Sequence, residues 1–238
     1  MLNRYATLPL YRQLSDDLER RLGQQYAPGD RLPSEAQLAA DYAVNRLTVR
    51  QAMADLARRG LVTASRGRGT FVAHPPVRYE ISPGRDASFS RAMRARGHDV
   101  TLRLLRSGSD EDPEVMRQLQ TTRPVRRFHL LRSLDAVPWS LTTTWLSAAR
   151  FRDLDRHWNG SNSLFEVLER HYGVRTVRAS RRFTAIPADA VDAKHLTVSI
   201  GAPVLQVRGL NTSEDGDPIA FVEHHFRGDR VQFTVDLG

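Results

Sequence analysis

The 238-residue chain has no cysteine, which excludes disulfides, thiolate metal sites and a cysteine nucleophile. It has a single lysine, Lys194, so nearly all its positive charge is arginine. No apolar run approaches the roughly 18 residues of a membrane span. The opening Met1-Leu2-Asn3-Arg4-Tyr5 lacks the apolar segment of a signal peptide, so a cytoplasmic protein is expected. Internal repeats are also missing. What is present is 40% hydrophobic residues, enough for one large or two modest domains with real cores. The net charge of +8 fits a polyanionic partner. Residues 1–76 hold 11 basic and 7 acidic residues, and the rest hold 24 and 20, so each part carries +4, denser in the shorter one.

The most informative stretch runs from Pro33 to Val72. Ser34 can cap a short helix, with Gln37 three residues on as in a capping box, and Leu38 and Tyr42 give it an inner face. Ala43-Val44 allows only a turn. Asn45 caps a second helix, in which Val49, Ala52, Met53 and Leu56 fall at core-facing spacing. Arg46 and Arg50 lie one turn apart, off that stripe. Gly60 after Arg58-Arg59 supplies a left-handed cap, and Arg66-Gly67-Arg68-Gly69 tips a hairpin. An earlier helix starts near Leu8, with Tyr11, Leu14, Leu18 and Leu22 as its inner stripe. A helix of this kind fits the major groove of DNA, where arginine pairs with guanine. Thr48 can reach phosphate or a thymine methyl. Arginines on a slim hairpin suit a narrow minor groove. A solvated basic helix beside an ordinary hairpin is the plainer alternative.

Residues 8–73 resemble the winged helix-turn-helix domain of the GntR family of bacterial transcription regulators. The resemblance is carried by Pro9-Leu10-Tyr11, Pro28-Gly29-Asp30-Arg31-Leu32-Pro33-Ser34-Glu35, Arg46-Leu47-Thr48-Val49-Arg50-Gln51-Ala52, Gly60-Leu61-Val62 and Gly67-Arg68-Gly69-Thr70-Phe71-Val72. It implies DNA contacts from Ser34, Arg46, Thr48, Arg50, Arg66, Gly67 and Arg68. Two positions depart from the family pattern. Ala36 stands where arginine is common, and Leu47 where a small polar residue is common.

After Val72, Ala73-His74-Pro75-Pro76 marks a linker, placed at 74–79 between domains at 1–73 and 80–238. Beyond it, period-two segments at 100–106, 124–134, 138–146, 174–186, 203–213, 217–227 and 230–237 read as strands. Asp135-Ala136 and Asp215-Gly216 read as hairpin turns. Helices are expected at 87–96, 112–120, 148–155, 162–172 and 188–196. The pattern argues for an α+β domain with a mostly antiparallel sheet. This half resembles the effector-binding (UTRA) domain of the HutC subfamily, which has a chorismate-lyase-like fold. Phe89-Ser90-Arg91, Gly97-His98, Ser163-Leu164-Phe165, Gly201-Ala202-Pro203-Val204-Leu205 and Arg227-Gly228-Asp229-Arg230 carry that resemblance.

Three features point to an anion. Ser88-Phe89-Ser90 and Ser163-Leu164-Phe165 each open a helix, where free N–H groups favour anions. Arg132 sits on a strand within an otherwise apolar run, after Leu130-Leu131 and before Leu134, and a guanidinium aimed inward holds an oxyanion bidentately. The alternatives are a pair of ordinary caps and an exposed strand arginine. The subfamily resemblance implies an effector site at Ser88, Phe89, Ser90, Arg132, Thr142, Ser163, Phe165 and Phe226. Members that bind amino sugars carry Glu at the position of Thr142 and a second Arg at that of Leu130. Phosphate or a small phosphonate therefore fits better than an amino sugar, and the chain looks nearest to regulators of phosphonate uptake. A sugar phosphate or a histidine-pathway intermediate is the alternative effector, and a lyase-like enzyme with an appended DNA-binding domain the remote one. His224-His225 point to opposite strand faces and cannot easily share a metal. Neither a cofactor, a metal nor a catalytic residue is expected. The expected protein is a homodimeric repressor that binds double-stranded DNA and a small anionic effector, with no membrane association.

Overall fold

The computed structural model describes the chain except for residues 1, 4, 5, 66, 75, 82–87 and 236–238, together with the side chains of residues 65, 80, 81 and 235. It divides into two compact units, Met1–Pro76 and Val77–Gly238.

In the first unit, α1 (Leu10–Arg21), α2 (Glu35–Asp41) and α3 (Arg46–Arg58) enclose one core. Pro9 stands at the N-cap of α1, just outside it. Ser34 and Gln37 close the capping box of α2, and the Asn45 side chain accepts the Thr48 N–H at the start of α3. Each cap satisfies donors that a helix start leaves without partners. Val49, Ala52, Met53 and Leu56 of α3 are buried against Leu14 and Leu18 of α1. Asp55, also buried, ties the two helices together. It accepts from Arg12 at 2.7 Å, Ser15 at 3.1 Å and Arg58 at 2.8 Å.

Gly60 adopts φ 70° and turns the chain into an antiparallel hairpin of β1 (Val62–Ser65) and β2 (Gly69–Val72). The segment Asp30–Leu32 lies along its open edge. Leu32 N donates to Thr70 O and Val72 N to Asp30 O, both at 2.8 Å. Gly69 has φ 113°, and a Cβ there would lie 2.8 Å from Arg31 Nε, so no other residue fits without a shift.

The second unit is built on a seven-stranded antiparallel sheet. Its strands are β4 (Val100–Asp110), β5 (Val125–Leu134), β6 (Val137–Ser147), β7 (Val177–Arg178), β8 (Arg182–Pro187), β9 (Pro203–Thr212) and β10 (Pro218–Arg227). The spatial order is β4-β5-β6-β10-β9-β7, and β8 also pairs with β9. Asp135 and Ala136 both have positive φ, as a tight primed hairpin turn requires. Helices α4 (Phe89–Ala95), α5 (Pro113–Gln118), α6 (Leu154–His157), α7 (Leu164–Tyr172) and α8 (Ala190–Leu196) cover the sheet. Phe128, Leu130, Leu146 and Val222 pack against Leu154, Leu164 and Leu168 of α6 and α7. The alternate residues Leu131, Leu141 and Val204 pack against Leu196 of α8 on the other face.

Three expectations are corrected. Val77–Tyr79, assigned to the linker, begin a strand, β3 (Val77–Ile81), which pairs in parallel with β11 (Val231–Val235). The alternation Val77, Tyr79 buries apolar side chains that water-exposed linker chemistry would not favour. The single strand expected at 174–186 is broken at residues 179–181 into β7 and β8, because Gly209 lets Ser180 approach β9 closely. A Cβ on Gly209 would meet the Ser180 carbonyl at 2.0 Å. The helix expected at 148–155 is mostly turn and becomes helical only at Leu154.

Candidate functional site

On the first unit, α3 turns Val49, Ala52, Met53 and Leu56 inward, so Arg46 and Arg50 face solvent and Thr48 lies at the half-buried margin. Thr48 Oγ1 donates to Asn45 Oδ1 at 2.9 Å. Arg50 Nη2 pairs with Glu35 Oε2 on α2 at 3.2 Å, and both side chains are well exposed. Ser34 is exposed, but its hydroxyl is engaged in the cap with Gln37. Gly67 and Arg68 are exposed at the hairpin tip, where Gly67 has φ 74° and the Arg68 guanidinium lies 5.7 Å from the Phe71 ring. Arg66 lies outside the described residues. The unit therefore presents arginines from the helix and from the hairpin tip to solvent.

On the second unit, one sheet face and the starts of α4 and α7 enclose a cavity with about 60 Å³ for the centres of water-sized groups. That is room for a small solute with some bound water. Strand register explains the sheet floor. Arg132 on β5 opposes Ser140 on β6, and Phe226 on β10 opposes the same residue. One step along, Leu130, Thr142 and His224 form the next row. Phe89 and Ser90 of α4, and Ser163 and Phe165 at the start of α7, complete the wall. Seven of the eight residues expected at the effector site thus line one cavity. Ser88 is the eighth and does not line it. Its hydroxyl accepts the Arg91 N–H and donates to Glu166 Oε1 at 3.1 Å, capping α4. Ser163 makes no side-chain cap to its own helix.

Arg132 is the chemically expressive member. It is buried, and its guanidinium lies 4.6 Å from the Phe89 ring centre. Its Nε and Nη1 have no hydrogen-bond partner among the described residues. Burial pulls its pKa down to about 10, so it stays a cation at neutral pH. An unpaired buried cation is costly, and an oxyanion would offset that cost with charge-assisted hydrogen bonds.

Further lining residues escaped the sequence reading, among them Arg178, Arg181, Asn211 and His224. Arg178 of β7 donates to the Tyr79 hydroxyl. Arg181 donates to the carbonyls of Ser180 and Leu210 and to Asn211 Oδ1, all neutral acceptors, and burial lowers its pKa to about 10. Asn211 Nδ2 has no partner among the described residues. The lining holds three arginines and no carboxylate among the described residues. The available signal was Gly209, since a glycine inside an apolar strand marks a close backbone approach. His224 also lines the cavity. Burial and then the fields of Arg132, Arg181 and Arg178 hold its pKa well below 6.5, so it is neutral. Its Nδ1 lies 3.0 Å from Thr142 Oγ1. His225 points to the other sheet face and pairs with Asp192 of α8 at 2.9 Å.

Comparison with known proteins agrees with this division. Residues 10–72 match the family of bacterial regulatory proteins named gntR, and residues 95–232 match the UTRA domain. The chain is 30% identical to a probable transcriptional regulator PhnF of Escherichia coli, over 95% of this chain and 94% of that protein. It is 25% identical to the transcriptional repressor NagR of Bacillus subtilis, over 98% and 96%. The crystal structure of PhnF from Mycobacterium smegmatis superposes with a TM-score of 0.65 at 27% identity, covering 94% of this chain and 98% of that one. No described helix is long and apolar enough to cross a membrane. With both domain matches in order along one chain, the protein belongs to the gntR family and is a DNA-binding transcriptional regulator with a UTRA domain.

Proposed function

We propose that this regulator is a homodimeric repressor whose C-terminal domain senses a small anion carrying a phosphoryl or phosphonyl group. The observation that carries the reading is Arg132, a buried cation at the wall of a cavity with two donors that have no partner among the described residues. The absence of a carboxylate among the described lining residues supports the same choice, because an amine on the ligand would meet three arginines and no counter-charge. A phosphorylated sugar without an amine is the second reading. The hydroxyls of Ser90, Thr142, Thr144 and Ser163 around the cavity favour it, since they suit a polyol.

In this reading α3 enters the major groove, with Arg46, Thr48 and Arg50 against the duplex. Ser34 at the start of α2 contacts the backbone, and the hairpin tip at Arg66-Gly67-Arg68 reaches the adjacent minor groove. Two copies related by a two-fold axis read a pseudo-palindrome. The effector acts only through a difference in its affinity for the DNA-bound and released arrangements. The test is fluorescence anisotropy on an operator selected by the protein from random duplexes. Release by 2-aminoethylphosphonate, phosphonoacetate or inorganic phosphate supports a phosphorus oxyanion. Release by glucose 6-phosphate alone supports the second reading. Binding unaffected by all of them contradicts the proposal.

A further inference from the structure

Leu47 is 61% exposed on α3 and stands apart from the core of its unit. An α-helix advances about 100° per residue. On that wheel Val49, Ala52, Met53 and Leu56 define the inward direction, and Leu47 falls within roughly 20° of its opposite. With Arg58 at the far end of the helix, it is the side chain that points most directly away from the core. Its neighbours on that face include Arg50 and Gln51, both exposed, and the exposed Arg46 precedes it in sequence. A single exposed leucine is ordinary on a protein surface. This one sits in the first turn of a helix, between two groups suited to a duplex, where an alkyl chain can offer phosphate nothing.

We propose that Leu47 is a specificity-determining residue that packs against the 5-methyl group of a thymine in the operator. Base edges in the major groove present donors, acceptors and one apolar group, the thymine methyl. Arg46 and Arg50 answer acceptors, and Gln51, one turn beyond Leu47, suits an adenine edge. Leu47 answers the methyl with a larger apolar surface than Thr48. The flanking arginines supply the charge complementarity that holds this helix against DNA rather than against an apolar protein surface. The inference rests on α3 being the helix that enters the groove.

The test uses the full-length protein and the duplex it selects from a random pool. Each thymine is replaced in turn by deoxyuridine, which removes only the methyl, and affinity is read by anisotropy. At one thymine per half-site the wild type should bind about fourfold more weakly, the effect of one methyl lost from contact. Leu47→Ala should bind the unmodified duplex more weakly and should no longer distinguish thymine from uracil at that position. Alanine favours the helix, and circular dichroism checks that the variant is folded. A wild type indifferent to every replacement, a pool without a preferred sequence, or a Leu47→Ala variant that keeps the discrimination overturns the proposal. Arg46→Ala and Arg50→Ala run alongside. If both leave the selected sequence unaltered, it is the helix assignment that fails, and the Leu47 contact falls with it.

Discussion

The guanidinium of Arg132 lies 4.6 Å from the ring centre of Phe89, which fixes one of its faces while Nε and Nη1 have no partner among the described residues. A cation held this way is oriented before any anion arrives, so less ordering is lost on binding. The same arrangement strains the unliganded protein electrostatically. Arg132→Leu should therefore leave the unliganded protein at least as stable, by on the order of 1 kcal/mol, while abolishing its response to anions. Chemical denaturation with and without phosphonoacetate checks both halves.

His225 gives the second unit a pH signature. Burial alone would lower its pKa, but Glu223 and Asp192 outweigh burial and raise it to about 9. A raised pKa in the folded state means stability that is full below the ordinary value of 6.5 and is lost as pH rises through about 9. His225→Gln should flatten that loss in thermal unfolding measured from pH 6 to 10.

Asp55 should behave in the opposite sense in the first unit. Burial raises its pKa, yet Ser15 and Arg12 together hold it below the usual carboxylate range. Its contribution is present above the unfolded pKa and disappears as acid protonates the folded form. Asp55→Ala should cost about 1–3 kcal/mol at neutral pH and much less at low pH, measured by urea unfolding.

Arg50 is paired with Glu35 at 3.2 Å, so DNA must compete with a carboxylate. The pair is exposed and weak. Glu35→Gln should tighten binding to any duplex, whereas Arg46→Ala or Arg50→Ala should weaken specific binding by about 1–3 kcal/mol and relax base choice. Arg68→Ala should reduce the salt slope of binding by about one unit. Anisotropy at several salt concentrations separates these effects.

The first unit was legible because its signals are local. The Ser34 and Asn45 caps, the Val49–Leu56 stripe and the Gly67 and Gly69 turns each depend on residues a few positions apart. The sheet of the second unit was legible through alternation, and Arg132 stood out as a charge among Leu130, Leu131 and Leu134. What the sequence hid depends on long-range pairing. The β3–β11 ribbon joins residues about 150 positions apart, and neither strand is long enough to announce a partner. Arg178 reaches the cavity through the pairing of β7 with β9, and Arg181 beside the close approach of Ser180 to Gly209, contacts invisible in one strand's pattern.

The most direct measurement is calorimetric titration of the full-length protein and of Arg132→Gln with phosphonoacetate, inorganic phosphate, glucose 6-phosphate and a neutral sugar. The account predicts saturable binding of a phosphorus oxyanion to the wild type, no binding of the neutral sugar, and loss of binding in Arg132→Gln with the fold intact. At 100 times Kd the same ligand should add about 2.7 kcal/mol to the folded state. Equal binding by both proteins, or binding of the neutral sugar alone, would contradict the anion site.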